Sequence, residues 1–103
     1  MTALGHGQLW WADLDKVRPV VVLTRQRVAS RLARVLVAPI TTTVRGLATE
    51  VPLGSAEGVR DGSVANLDNV QLVPAACLLR RAGLVAPERW TEFCSAMGKV
   101  MAC

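Results

Sequence analysis

Arg18, Thr41 and Asp68 carry the groups in this sequence that are able to act together on a phosphate. Arg18 opens an apolar run directly before Pro19, and Thr41-Thr42-Thr43 closes a second apolar run. Asp68 sits within Asn66-Leu67-Asp68-Asn69, between two short apolar pieces. A guanidinium offers forked donors matched to phosphate oxygens. A hydroxyl can hold a phosphate in place, and a carboxylate can take a proton. Each position also has a plain structural reading: an arginine snorkelling at a rim, hydroxyls in a turn, an Asx turn at Asp68. Residue type alone leaves both readings open. The chemical one requires three strand ends to meet.

Other chemistries are poorly supplied. The sequence has no phosphate-binding glycine loop, no nucleophile elbow and no tyrosine. Its one histidine, His6, falls in what reads as a solvated N-terminal tail, which excludes a two-histidine mechanism. Cys77, Cys94 and Cys103 are odd in number, widely spaced and without Cys-x-x-Cys pairing. They read as reduced structural thiols, with no metal site and no cofactor expected. Lys and Arg number 12 against 8 Asp and Glu, a net charge of +4 spread along the chain. That balance favours nucleic acid or an acidic protein as partner.

The elements that must position these groups are mostly strands. At 103 residues the chain is the size of one domain, residues 1–103, with no room for a second core. It is 51% apolar, which for so short a chain hints that part of its surface is covered by another subunit. No apolar run approaches the roughly 18–20 residues needed to span a membrane. The N-terminus lacks signal-peptide features, so a cytoplasmic location is expected.

Residues 8–14 (QLWWADL) and 18–24 (RPVVVLT) predict two strands joined by a tight connection at Asp15-Lys16-Val17. Residues 25–32 read as an exposed connection or one helical turn. Residues 34–40 (RVLVAPI) are almost continuously apolar, as in a strand buried on both faces. Residues 47–53 alternate, predicting a half-buried edge strand with Leu47, Thr49, Val51 and Leu53 on one face. A glycine-rich loop spans 54–62, followed by two extended pieces within 63–73 and a further edge strand at 79–85. After Pro87, apolar residues recur at Trp90, Phe93, Cys94, Met97, Val100 and Met101, which predicts a terminal helix. The fold class expected is mainly β with a C-terminal α-helix, a small, partly open barrel.

Four blocks in order, GQLWWADLD, RPVVVLT, VAPITT and DGSVANLDNV, resemble the MazF/PemK family of toxin endoribonucleases. The resemblance runs from Gly7 to about Val73, and the terminal helix suits it. It implies an SH3-like barrel, also shared by CcdB-like proteins, found as a homodimer and neutralised by an acidic MazE-like antitoxin. It further implies metal-free cleavage of single-stranded RNA, leaving a 2′,3′-cyclic phosphate and a 5′-hydroxyl. The catalytic arginine, threonine and aspartate of the family fall on Arg18, Thr41 and Asp68. Lys16, Thr42, Thr43, Asn66 and Trp11 are the candidate RNA contacts. The chain departs from the family in two places: the loop between the first two strands is cut to three residues, and Asn66 stands where PemK-type members carry an arginine.

Two readings from other classes stay open. A CcdB-like toxin that binds DNA gyrase would not depend on Arg18, Thr41 and Asp68, because the shared fold does not decide function. A catalytically dead RNA-binding module would hold RNA in a salt-dependent way and leave it intact.

Overall fold

The computed structural model describes residues 4–26 and 33–101. β1 (Gln8–Asp13) and β2 (Val17–Val22) form a hairpin whose register sets Leu9 opposite Val21 and Trp11 opposite Pro19. β3 (Arg34–Thr41) follows, pairing Val20 with Pro39 and Val21 with Ala38. β-branched residues dominate these runs and suit a pleated surface packed on both sides. Both sides are indeed used. Leu9, Val21, Ala38 and Ile40 enter one apolar cluster, whereas Ala12, Val20, Val22, Val35 and Val37 enter a second.

β3 is the hub of the sheet. Its C-terminal end pairs with β5 (Ser63–Asn66), placing Thr41 opposite Val64, and its N-terminal part pairs with β6 (Gln71–Pro74). A single 3₁₀ turn, Leu67–Asn69, steps the chain from one partner strand to the next. β4 (Glu50–Leu53) pairs with β5, and β7 (Leu78–Leu84) pairs with β1. The strand path is therefore β4-β5-β3-β2-β1-β7, with β6 beside β3.

The two ends of that path are joined by a loop and not by a ladder. The 3₁₀ turn Ser55–Glu57 after β4 lies against β7 at backbone contact. A Cβ on Gly83 would fall 1.9 Å from the Glu57 carbonyl oxygen, and one on Gly58 would fall 2.2 Å from that of Ala82. Gly58 also has φ +89°, a region glycine adopts readily. Only glycines permit this closure.

The helix α1 (Trp90–Val100) follows a turn at Pro87–Arg89 and caps the first cluster with Phe93 and Ala96. Its inner stripe is the buried Phe93 and Ala96 with the half-buried Trp90 and Met97, while Cys94, Val100 and Met101 are exposed. The predicted face was rotated because alanine had carried no weight in the pattern. Leu47 is exposed as well, and the strand expected from residue 47 begins only at Glu50. The Glu50 carboxylate accepts the N–H groups of Arg45 and Leu47, which replaces strand pairing there. His6 is exposed but not loose: its ring lies 5.1 Å from that of Trp90, which stacks on Phe93 at 4.8 Å. Cys77 and Cys94 are free thiols, while Cys103 and most of the 25–32 connection lie outside the described residues. Among the described residues, no helix is long and apolar enough to cross a membrane.

Candidate active site

A groove of about 540 Å³ opens where β2 begins and β3 ends. The β1–β2 hairpin brings Lys16 and Arg18 to one side, and the end of β3 brings Thr41, Thr42 and Thr43. Because β5 runs antiparallel to β3 at this end, Ser63 and Asn66 join from β5. Trp11 lines the groove too, whereas Trp10, one residue earlier, packs on the second cluster. That is the opposite-face arrangement expected of neighbours in a strand. Arg80 stands over the Trp11 ring, 5.5 Å from its centroid, so one aromatic face is already taken by a cation.

Arg18 is half-buried, with its Nη2 3.1 Å from Asp15 Oδ1. Asp15 is largely exposed, so this pair is a weak restraint that an incoming anion can displace. The Nε–H of Arg18 is buried and has no hydrogen-bond partner among the described residues. Thr41 Oγ1 accepts the N–H of Thr43 at 3.0 Å. The turn and the chemical reading thus coexist: the oxygen shapes the turn, and the hydroxyl proton remains a donor for a ligand.

Asp68 is placed differently. It is exposed and is not among the residues lining the groove. Its carboxylate accepts the hydroxyl of Thr49, and its N–H donates to Asn66 Oδ1 at 3.0 Å. The Asx-type turn expected within Asn66-Leu67-Asp68-Asn69 is present, made by the Asn66 side chain and not by that of Asp68. The structure therefore brings together Lys16, Arg18, Thr41, Thr42, Thr43, Asn66 and Trp11, but not Asp68.

Sequence reasoning passed over Arg45, Arg60 and Asn69, which also line the groove. Arg45 and Arg60 come from the loops on either side of β4, and only the β3–β5 pairing carries them to Thr41. One signal was available: Arg60 directly precedes the block DGSVANLDNV. With them the lining holds Lys16, Arg18, Arg45 and Arg60 and no carboxylate.

An open-edged β-barrel, capped by a helix and grooved by cations and hydroxyls, defines a small protein built to hold a phosphate-bearing chain. The comparisons narrow this class. The model of the PemK-like, MazF-like toxin family of type II toxin–antitoxin systems matches residues 6–101, and the chain belongs to that family. It is 47% identical over 87 residues to Endoribonuclease MazF3 of Mycobacterium tuberculosis strain H37Rv, covering 84% of each. Its fold matches the Mycobacterium tuberculosis toxin MazF-mt6 with a TM-score of 0.87 at 44% identity, over 90% of this chain and 94% of that one. A mycobacterial endoribonuclease solved with its cognate antitoxin shares the fold at 24% identity, with a TM-score of 0.85 over 95% and 94% of the two chains.

Proposed function

We propose that this chain is a sequence-selective endoribonuclease toxin that cleaves single-stranded RNA without a metal. The observation that carries the proposal is the groove lined by four cations and three consecutive threonines with no carboxylate among them. The named activity of the curated relative supports it. The 2′-oxygen attacks the adjacent phosphorus, and the bond from phosphorus to the 5′-oxygen breaks. With no carboxylate in the groove lining, the 2′-hydroxyl proton passes to solvent water and the 5′-oxygen takes up a proton from water, leaving a 2′,3′-cyclic phosphate and a 5′-hydroxyl. Arg18 neutralises the charge that builds on the phosphoryl oxygens through the Nη end of its guanidinium, which the exposed Asp15 now holds. Thr41 fixes the phosphate for in-line attack. Lys16, Thr42, Thr43 and Asn66 hold the strand on either side, with Trp11 offering its remaining surface to a base.

For Asp68 the geometry favours a second reading over the role of base. Its carboxylate is engaged with Thr49 outside the groove, so it fastens the loop that carries Thr42, Thr43 and Arg45. In this proposal the toxin acts in the cytoplasm as a homodimer. Its cognate MazE-like antitoxin is acidic and neutralises it by covering the cationic groove.

The test is incubation of the purified chain with a long mixed-sequence RNA in EDTA, followed by end-group analysis, with Arg18→Ala as control. Discrete cuts bearing cyclic-phosphate ends, lost in the variant, are expected. Intact RNA with inhibited DNA gyrase would replace this reading with the gyrase-binding one. RNA that is bound but uncut would leave a binding module.

A further inference from the structure

Residues 54–62 form a loop whose acidic side chains are all engaged in holding its own shape. The Gly54 N–H donates to Glu57 Oε1 at 2.8 Å, and the Ser55 N–H donates to Asp61 Oδ1 at 2.7 Å. The Val59 N–H donates to the Gly54 carbonyl at 3.2 Å, and the Ser63 N–H donates to that of Arg60 at 3.2 Å. Glu57 is buried and lies 3.4 Å from Arg89 Nη1, and Arg89 also donates to the Pro52 carbonyl at 2.8 Å. The loop then seats on β7 through the Gly58–Gly83 contact.

One charge is left over. Arg60 is exposed, lines the groove, and forms no ion pair among the described residues, although Glu57 and Asp61 are its close neighbours in sequence. Both carboxylates accept backbone N–H groups of the loop, Glu57 from a buried position and Asp61 from an exposed one. A cation on an ordered loop, with its nearby acids otherwise engaged, has no ion pair to break when it meets an anion. Arg18 differs on both counts, being half-buried and paired with Asp15.

We infer that Arg60 is an RNA-binding residue: it grips a phosphate flanking the one that is cut, on the groove wall formed by the 54–62 loop. This rests on the proposed RNA-cleaving function and adds a defined contact to it. A contact to a flanking phosphate is made equally before and during reaction, so it lowers KM and leaves kcat unchanged.

The experiment measures fluorescence anisotropy of a mixed-sequence 2′-O-methyl oligoribonucleotide, which lacks the attacking hydroxyl, against salt concentration. Wild type, Arg60→Gln, Arg60→Lys and Arg81→Gln are compared, Arg81 being exposed on β7 and not part of the groove lining. Arg60→Gln should weaken binding about tenfold and reduce the salt slope by about 0.7, the share of one phosphate on a single strand. Arg60→Lys should restore the slope, and Arg81→Gln should match wild type. On cleavable RNA, Arg60→Gln should raise KM about tenfold at unchanged kcat. Wild-type affinity and slope in Arg60→Gln would overturn the inference while leaving the function intact. Equal losses in Arg60→Gln and Arg81→Gln would also overturn it, reducing the effect to net charge. Failure of wild type itself to bind or cut RNA would remove the functional reading and this contact with it.

Discussion

Thr49 and Asp68, 19 residues apart in sequence, are joined by a hydrogen bond from the threonine hydroxyl to the carboxylate. The same junction is tied a second time, by the Leu67 N–H donating to the Thr49 carbonyl at 3.0 Å. Thr49 ends the loop that begins after Thr41 and carries Arg45, and Asp68 sits in the 3₁₀ turn that links β5 to β6. The pair therefore couples one wall of the groove to the hub of the sheet.

This relationship separates two roles for Asp68. If it fastens the loop, Thr49→Val should lose as much cleavage as Asp68→Asn, each about tenfold, with similar pH profiles. If it is the base, Asp68→Asn alone should lose about 10²–10⁴-fold and the acidic limb of the pH–rate profile, with Thr49→Val close to wild type. We expect the first outcome, read from single-turnover rates between pH 4 and 9.

What was legible in the sequence was what depends on near neighbours. β1, β2, β3 and the helix announce themselves by local periodicity, and Arg18 and Thr41 are conspicuous because each is polar at the end of an apolar run. Leu47 misled because Glu50 satisfies the backbone of Arg45 and Leu47 with a side chain, which no hydrophobic pattern records. Arg45 and Arg60 were missed for a different reason. They reach the groove through pairings between segments far apart in sequence and through the loop that closes the barrel. The helix face differs from the expected one at four positions, since Ala96 is buried while Cys94, Val100 and Met101 are exposed. Asp68 lies in the expected block, with its carboxylate on Thr49 and outside the groove lining.

The Glu57–Arg89 contact should be visible in stability. Glu57 is 6% exposed, so Arg89→Met leaves a buried carboxylate without its cation. A loss of about 1–3 kcal/mol is expected, moderated by the partial exposure of the arginine. Glu57→Gln should lose less, because an amide oxygen can still accept the Gly54 N–H. The double variant should lose less than the two single losses added together. Urea unfolding midpoints measure all three, and strict additivity would show that the two side chains are not coupled.

Acid should loosen the same loop. The Ser55 N–H holds the Asp61 carboxyl below the usual aspartate range, and the hydrogen bond from Arg89 does the same for Glu92. A carboxyl depressed in the folded state contributes stability above its unfolded value, about 3.9 for aspartate. That contribution is lost as pH falls through the lower folded value. Stability should therefore drop as pH is taken from 5 towards 3, and Asp61→Asn should flatten that drop. Unfolding midpoints with the same pH slope in both proteins would dissociate Asp61 from the effect.

Two glycine substitutions should move stability in opposite directions. At Gly83 an added Cβ would fall 1.9 Å from the Glu57 carbonyl oxygen, and backbone cannot swing aside as a side chain would. Gly83→Ala must push the 54–62 loop off β7, at about 1–3 kcal/mol. It should also weaken RNA binding to the extent that Arg60→Gln does, because the displaced loop carries Arg60. At Gly98, within α1, an added Cβ meets no heavy atom within 4 Å. Gly98→Ala removes backbone freedom from the unfolded chain without a clash, so it should stabilise by up to about 1 kcal/mol. For a domain of this size that raises Tm by about 4–8 °C. Thermal unfolding of both variants, with RNA binding measured on Gly83→Ala, tests the closure of the barrel directly. A Gly83→Ala protein as stable as wild type and binding RNA as well would mean that the loop does not rest on β7, and that Arg60 is held at the groove by something other than the Gly58–Gly83 contact.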